Sequence, residues 1–334
     1  MRLNKNIKIF INYFLGPLLF LWLSYSIYKE IKQQPNLSEK WSQIQNSFGG
    51  PMFWSIVGVF MLMILNWGIE TVKWKISISK IQKINFFKAF KAVLSGVSFS
   101  VTTPNRMGEY LGRILYMNEG NRLKAISITV VGSISQLIIT LLMGFLGLMI
   151  LLPKINAAGM ISSPWTQTIS YGVLAVFIFL LLFYFRLSWL VRWVDRLPGS
   201  KRYSYLVKAL EEFDSSLLLQ LLLLSFSRFL VFVLQYYLLF RLFEVNLSWF
   251  QAFWAVSVSF LVMAVIPAIA IVELAQRSKI LTTAIGIFST NVLGIGLATV
   301  CIWFINLIIP AIAGSILIVI IKKIFKNREA NNAA

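Results

Sequence analysis

Histidine is missing from this sequence, and cysteine occurs once, at Cys301. A single cysteine cannot form a disulfide within the chain. Zinc and haem sites built on histidine and cysteine would have no ligands, because those two residue types supply most of their bonds. The sequence therefore predicts no metal site and no cofactor.

Acidic residues are scarce too: 12 Asp and Glu stand against 31 Lys and Arg, a formal net charge of +19. Such a charge is one signature of nucleic-acid binding. The basic residues, however, collect in short stretches beside apolar runs, which is the positive-inside pattern of membrane proteins. We therefore expect membrane lipids as partners and no nucleic acid.

A long polar region and a phosphate-binding loop are also lacking. The longest polar stretch, Leu187 to Ser216, is about 30 residues long, well below the size of an ordinary domain. No GxxxxGK[ST] motif, which would hold the phosphates of ATP, is present. The sequence predicts neither a soluble catalytic domain nor an ATPase within these residues.

Apolar sequence is abundant: 58% of the 334 residues are hydrophobic, and the mean hydropathy is +0.77. A helix needs about 20 such residues to cross a bilayer. Candidate spans are Phe10–Tyr28, Met52–Ile69, Ala125–Leu152, Thr168–Phe185, Leu217–Phe240, Leu281–Cys301 and Phe304–Ile321. The sequence predicts an all-α integral membrane protein, a single membrane domain over residues 1–334 with about seven transmembrane helices.

Two stretches, Phe86–Arg113 and Trp249–Arg277, look like copies of each other. Up to Pro104, each residue of the first copy is separated from its match in the second by the same number of residues, which we call the repeat offset. One extra residue follows the proline of the second copy, so the repeat offset grows by one from there on. The matched residues are Pro104 with Pro267, Glu109 with Glu273 and Arg113 with Arg277. Each copy is an apolar segment, a proline and Glu-x-x-x-Arg, which predicts an internal repeat.

Each copy is predicted to be a re-entrant hairpin that enters and leaves on one side of the membrane. A full crossing by the first copy would put the basic loop at Arg186–Lys208 outside the cell. The second copy then enters from the opposite side, as in an inverted-topology repeat. The predicted units are 7–152 for repeat 1, 166–303 for repeat 2 and 304–324 for a final transmembrane helix.

Basic residues before the first span (Arg2, Lys5 and Lys8) predict a cytoplasmic N-terminus in a multi-pass inner-membrane protein. The lysine-rich stretch that opens with Lys73 is also assigned to the cytoplasm. This map puts the basic C-terminal stretch, Lys322–Arg328, outside the cell, against the same rule. Either the second copy crosses fully, or roughly the last 40 apolar residues cross only once.

Thr103 and Pro104 indicate a helix start, because threonine suits the capping position and proline the first helical position. A helix N-terminus attracts phosphate or carboxylate, and Arg106 would add positive charge. Glu109 and Arg113 share a helix face at a spacing of four. The candidate substrate-binding residues are Thr103, Pro104, Arg106, Glu109, Arg113, the mid-span Arg228, Pro267, Glu273 and Arg277. A duplicated structural brace, in which each pair holds two helices together, would show the same pattern.

With these motifs, the chain resembles the membrane region of lysylphosphatidylglycerol synthases, a family also called flippase-like. The resemblance is carried by Pro104, Gly108-Glu109 and Arg113 in the first half and by Pro267 and Glu273 in the second. It covers about Ile7 to Lys323 and implies movement of a lipid or lipid-linked head group between leaflets. Some members carry a soluble aminoacyl transferase that has no counterpart in this sequence, so a separate lipid-modifying enzyme is a possible partner.

Three functions remain open from the sequence. The first is translocation of a phospholipid or lipid-linked head group, anionic or zwitterionic, without ATP. The second is an integral enzyme, or enzyme subunit, acting on a lipid phosphate or polyprenyl-linked sugar, with Glu109 or Glu273 as the base. The third is a small-solute transporter. We expect no enzyme, because a nucleophile motif and a paired-carboxylate metal motif are both lacking.

Overall fold

The computed structural model describes residues 53–101, 103, 107–159, 163–187, 210, 213–266 and 270–319, with scattered positions between 25 and 45. These residues form helices, and the described part of the chain contains no β-strand. The all-α prediction is therefore confirmed for the described residues. The predicted first span, Phe10–Tyr28, lies outside them apart from two positions.

The helices run in chain order from α1 to α9. They are α1 (Phe53–Ile78), α2 (Phe86–Val101), α3 (Gly108–Ile114), α4 (Arg122–Ala157), α5 (Ser163–Tyr184), α6 (Ser215–Leu242), α7 (Trp249–Val265), α8 (Ala270–Ile285) and α9 (Val292–Val319). Five of them are long and apolar enough to cross a membrane: α1, α4, α5, α6 and α9. The chain is thus a multi-pass membrane protein.

The last apolar region corrects one prediction. Leu281–Cys301 and Phe304–Ile321 were predicted as two spans, but a single helix, α9, runs through their junction. A π-helical turn, Phe304–Ile308, keeps the helix continuous there, just before Pro310. Proline lacks an N–H and clashes with the carbonyl four residues earlier, and a wider turn relieves that clash.

A single crossing by α9 favours the second alternative for the C-terminal lysines, in which the last apolar residues cross only once. Counting the predicted first span and two re-entrant copies, the chain starts and ends on the same side of the membrane. The positive-inside rule then assigns both ends to the cytoplasm. The orientation itself stays a prediction.

Both copies consist of two helices with an interruption between them. The first helix ends at Val101 in one copy and at Val265 in the other, and the second begins at Gly108 and Ala270. None of these helices reaches the roughly 20 residues that a span requires. That length favours hairpins that do not cross, although re-entry stays a prediction.

The bounds of other helices follow the repeat offset found in the sequence. Shifted by it, α1 falls on 216–241, inside α6, and α2 falls on 249–264, inside α7. Shifted by the larger value that applies after the proline, α4 falls on 286–321, around α9. The internal repeat and its inversion remain predictions, and this pairing assigns α9 as the partner of α4.

The described residues group into two compact units. Unit 1 comprises those within Met1–Leu62, Thr140–Ala175 and Leu230–Phe304, and unit 2 those within Met63–Ile139, Val176–Phe229 and Ile305–Ala334. The first copy lies in unit 2 and the second in unit 1. The domain limits predicted from the sequence are a separate matter and stay a prediction.

Unit 1 is built by close packing of α4 and α7. Leu148, Leu151 and Ile155 of α4 form an apolar cluster with Trp254 and Val258. Gly144 makes the approach possible, because a Cβ there would lie 2.4 Å from that of Leu261. Small residues allow such contact between helices in a bilayer, where the hydrophobic effect does not drive association.

Candidate functional site

The α2–α3 hairpin of unit 2 is held together through glycines. A Cβ on Gly108 would lie 2.2 Å from the carbonyl oxygen of Phe99, and one on Gly112 would lie 2.4 Å from the backbone of Ser95. A Cβ on Gly96, on the facing helix, would lie 2.8 Å from the carbonyl oxygen of Glu109. The two backbones therefore touch, which fixes α3 firmly against α2.

The described helix α3 begins at Gly108. Pro104, which was predicted at the first helical position, lies outside the described residues, so that assignment stays a prediction. Thr103 keeps a capping role from a distance, since its hydroxyl accepts a hydrogen bond from Gly108 N at 2.7 Å. Gly108 also lies too close to Phe99 O for a larger residue to fit at the start of α3.

Glu70 of α1 is the centre of a charged network in unit 2. Its Oε1 accepts from Arg113 Nη2 at 2.8 Å, and its Oε2 accepts from Arg228. Arg113 also donates to Glu109, so the predicted i,i+4 pair is present. We call Glu70, Lys73, Glu109, Arg113 and Arg228 the charged network.

Lys73, which was predicted to open a cytoplasmic lysine-rich stretch, is a buried member of this network. Its side chain is almost fully buried, and its Nζ lies 3.1 Å from Glu70 Oε2. It also donates to Gly132 O at 3.2 Å and to Ser225 Oγ at 3.3 Å. Lys73 is buried because α1 continues to Ile78, well past the apolar run, so that its polar end packs inside unit 2.

Asparagines and tryptophans surround the network. Asn66 accepts from Arg228 Nε at 2.9 Å and donates to Asn306, which lies in the π-helical turn of α9. The guanidinium of Arg228 lies 5.7 Å from the ring centroid of Trp67. A second cation–π contact joins Arg113 to Trp74. These contacts hold the arginines in place without neutralising them.

The electrostatic balance of the network is positive. Three cations face two carboxylates, which leaves a formal charge of +1 among five residues. Glu70, Lys73 and Arg113 are at most 5% exposed, whereas the Glu109 side chain is 28% exposed. An unbalanced charge inside an apolar protein is costly unless a counter-ion is bound.

Two buried donors beside the network have no hydrogen-bond partner among the described residues. They are Nε of Arg113 and Nε1 of Trp67. A buried N–H without an acceptor costs about 1–3 kcal/mol, so such groups usually mark a ligand, an ion or a water site. Phosphate and carboxylate oxygens are the acceptors that an arginine fork binds best.

The second copy, in unit 1, carries a simpler arrangement. Arg277 Nη2 donates to Glu273 Oε1 at 2.7 Å, and Glu273 is 8% exposed. The pair is neutral, although Nε of Arg277 also has no hydrogen-bond partner among the described residues. In place of Gly108 and Gly112, this copy has Val272 and Gln276 at the repeat offset.

The structure thus joins three of the predicted site residues, Glu109, Arg113 and Arg228, in one network. Glu273 and Arg277 form the predicted pair in the other unit. Pro104, Arg106 and Pro267 lie outside the described residues. A substrate-binding role for any of these residues stays a prediction.

Sequence reasoning missed Glu70 and Lys73 as site residues. Asn66, Glu70 and Lys73 are spaced by four and three, which places them on one face of a helix. That polar face on an otherwise apolar helix was the available signal. Because this polar face is followed directly by the lysine-rich stretch, it was interpreted as the end of a membrane span.

Comparison with known proteins agrees with this architecture. Residues 11–314 match the family model described as the lysylphosphatidylglycerol synthase TM region. The match covers well over half of the chain and includes every residue of the charged network. No curated protein sequence matches the chain significantly.

Proposed function

Because the chain belongs to the family of the lysylphosphatidylglycerol synthase TM region, we propose that it moves a phosphate-bearing lipid head group between leaflets without ATP. The family supports a lipid-related function in the membrane. The step that we propose is translocation, and the site that we propose for it is the charged network. The head group is anionic or zwitterionic, and a separate lipid-modifying enzyme would supply it where it carries an added group.

One observation carries the proposal: the network has a surplus positive charge and two buried N–H donors without a partner among the described residues. A phosphate would add an anion and supply acceptor oxygens for an arginine donor such as Arg113 Nε. Glu109 has the most exposed side chain of the charged network. Arg113 can therefore exchange its contact with the Glu109 carboxylate for one with an arriving phosphate. The exchange keeps Arg113 paired with an anion throughout, and the carboxylate that it leaves is that of Glu109, which is 28% exposed.

Transport in liposomes tests the proposal. The full chain is reconstituted with labelled phosphatidylglycerol or its lysyl ester, and the label in the outer leaflet is destroyed by an impermeant reagent. Active protein exposes the label of the inner leaflet as well. Label that stays half protected at every protein concentration would contradict the proposal.

Arg113→Ala is expected to abolish translocation, and the matched Arg277→Ala in the second copy to reduce it less. Arg113 bridges two carboxylates in the structure, so its loss will also lower stability. Arg113→Lys therefore accompanies it, since lysine keeps the charge but loses the two-pronged fork. A folded Arg113→Lys variant as fast as the parent, together with equal effects of the two alanine variants, would show that Arg113 does not bind the head group.

The same vesicles separate the alternative functions. An enzyme would change the mass of the lipid, and mass spectrometry of the extracted lipids detects this. A small-solute transporter would leave the lipid in place and intact. Either result would replace the proposed function.

A further inference from the structure

A second polar feature of unit 2 lies apart from the charged network. A cavity of about 720 Å³ opens beside the start of α2 and the segment that follows α3. Its lining includes Phe87, Lys88, Lys91, Leu115, Tyr116 and Arg122. Its volume falls in the range of ligand pockets, about 300–1,000 Å³. Neither Glu109 nor Arg113 lines it.

One side of the cavity is basic. Lys88 and Lys91 lie three residues apart on α2 and thus on one face, and both are exposed. Arg122 adds a third cation, whose Nη1 lies 3.8 Å from Glu119, a carboxylate that also lines the cavity and leaves its lining with a surplus of positive charge. The Glu119 side chain is 91% exposed, so its ion pair with Arg122 is weak, and Arg122 can bind an anion in the cavity.

The other side of the cavity is apolar. Phe87 is 73% exposed and Leu115 is 40% exposed, although both carry large apolar side chains. They lie at the ends of the hairpin helices, next to the lysine-rich stretch that marks a membrane surface. Exposed apolar side chains beside lysines at such a surface fit the boundary between head groups and acyl chains.

We propose that this cavity binds an anionic membrane phospholipid, with the phosphate at Lys88, Lys91 and Arg122 and the upper acyl chain against Phe87 and Leu115. The charge complementarity and the apolar wall select a phospholipid over a free phosphate. The site is distinct from the charged network, and its occupation does not depend on whether the protein translocates lipid.

Equilibrium binding tests the site. The full chain in phosphatidylcholine nanodiscs is titrated with dihexanoyl phosphatidylglycerol and followed by calorimetry. Dihexanoyl phosphatidylcholine tests the need for net negative charge, and glycerol 1-phosphate tests the need for acyl chains. The proposal requires the phosphatidylglycerol probe to bind at least about tenfold more tightly than either.

Two double variants are compared. Lys88→Gln and Lys91→Gln together change the cavity, and Lys80→Gln and Lys83→Gln together are the control. All four lysines are exposed, both pairs remove two charges, and the control pair does not line the cavity. The cavity pair is expected to weaken binding about tenfold or more, and the control pair less than about twofold. Phe87→Ala should weaken binding of the lipid but leave that of glycerol 1-phosphate unchanged.

Each other outcome overturns the proposal. Equal losses in the two lysine pairs would mean general attraction to a basic surface. Equal binding of glycerol 1-phosphate would mean a free phosphate site, and equal binding of phosphatidylcholine a site without charge selection. Loss of binding in Arg113→Ala but not in the cavity pair would place the bound lipid in the charged network. That last result would leave the proposed function intact while removing the second site.

Discussion

The two copies of the repeat carry the same Glu-x-x-x-Arg motif but surround it differently. In unit 2 the pair is joined by Glu70, Lys73 and Arg228, which come from helices outside the copy. At the repeat offset, Glu70 and Lys73 of α1 correspond to Val233 and Tyr236 of α6. The motif alone therefore does not make a site, and the flanking helix decides whether charges gather around it.

The two copies also differ in how closely their helix backbones pack, and the first copy is again the more tightly held. The first copy brings α2 and α3 into direct contact at Gly96, Gly108 and Gly112. The second copy has side chains at the matching positions, Ser259, Val272 and Gln276. A closely packed hairpin holds its arginine in one place, which is what a binding site needs.

The largest expected difference concerns the carboxylates that surround the two motif arginines, Glu70 beside Arg113 and Glu273 beside Arg277. Glu70→Gln keeps the shape of the side chain but removes the charge that three cations share. Removing one partner of a buried ion pair costs about 3–5 kcal/mol, so the free energy of unfolding should fall by that order. Glu273→Gln, which removes the pair with Arg277, should cost less.

Denaturant unfolding of both variants in the same detergent measures this difference. Equal losses would mean that the network in unit 2 is no more tightly coupled than the pair in unit 1. The comparison between the copies would then rest on packing alone.

The next difference concerns the glycines. Gly112→Ala places a methyl group against the backbone of Ser95, and overpacking of this kind costs about 1–3 kcal/mol. The matching change in the second copy, Gln276→Ala, is expected to alter stability by less than about 0.5 kcal/mol. Thermal unfolding of the two variants shows which of them loses more stability. A Gly112→Ala variant as stable as the parent would show that α2 and α3 can move apart.

The smallest expected difference concerns two fully buried serines. Ser225 of unit 2 accepts from Lys73 and bonds to Ser135, whereas Ser257 of unit 1 donates to Phe253 O in its own helix. Ser225→Ala should cost about 1–1.5 kcal/mol. Ser257→Ala should be close to neutral, because that local bond competes with the helix and alanine suits the helix better. Reversed effects, read from the same unfolding curves, would mean that the hydrogen bond between Ser225 and Lys73 does not stabilise the protein.

Much of the architecture could be predicted from local sequence. Long apolar runs gave the spans, the prolines marked the interruptions, and a spacing of four gave the two Glu–Arg pairs. Each of these depends on residues that are close in the chain. The period of a helix is enough to relate them.

The network could not be predicted in this way, because its members meet only through tertiary packing. Glu70 and Arg113 are 43 residues apart, and Glu70 and Arg228 are 158 apart. The single helix through the last two predicted spans was one of two alternatives that the sequence left open. Nothing in the local sequence showed that a π-helical turn would keep the helix continuous there.

The partners of the network also bear on how the chain enters the bilayer during synthesis. Glu70 enters with Lys73 three residues away, and Arg113 enters with Glu109 four residues away, so each segment brings a neutral pair. Arg228 enters on α6, which contains no acidic residue. Inserting a lone arginine costs about 2.5–3.5 kcal/mol on the translocon scale, and Glu70, already in the membrane, can offset part of it. We therefore expect α6 to insert less completely when translated alone than behind α1, and equal insertion in a glycosylation-mapping assay would show that the order of synthesis does not matter.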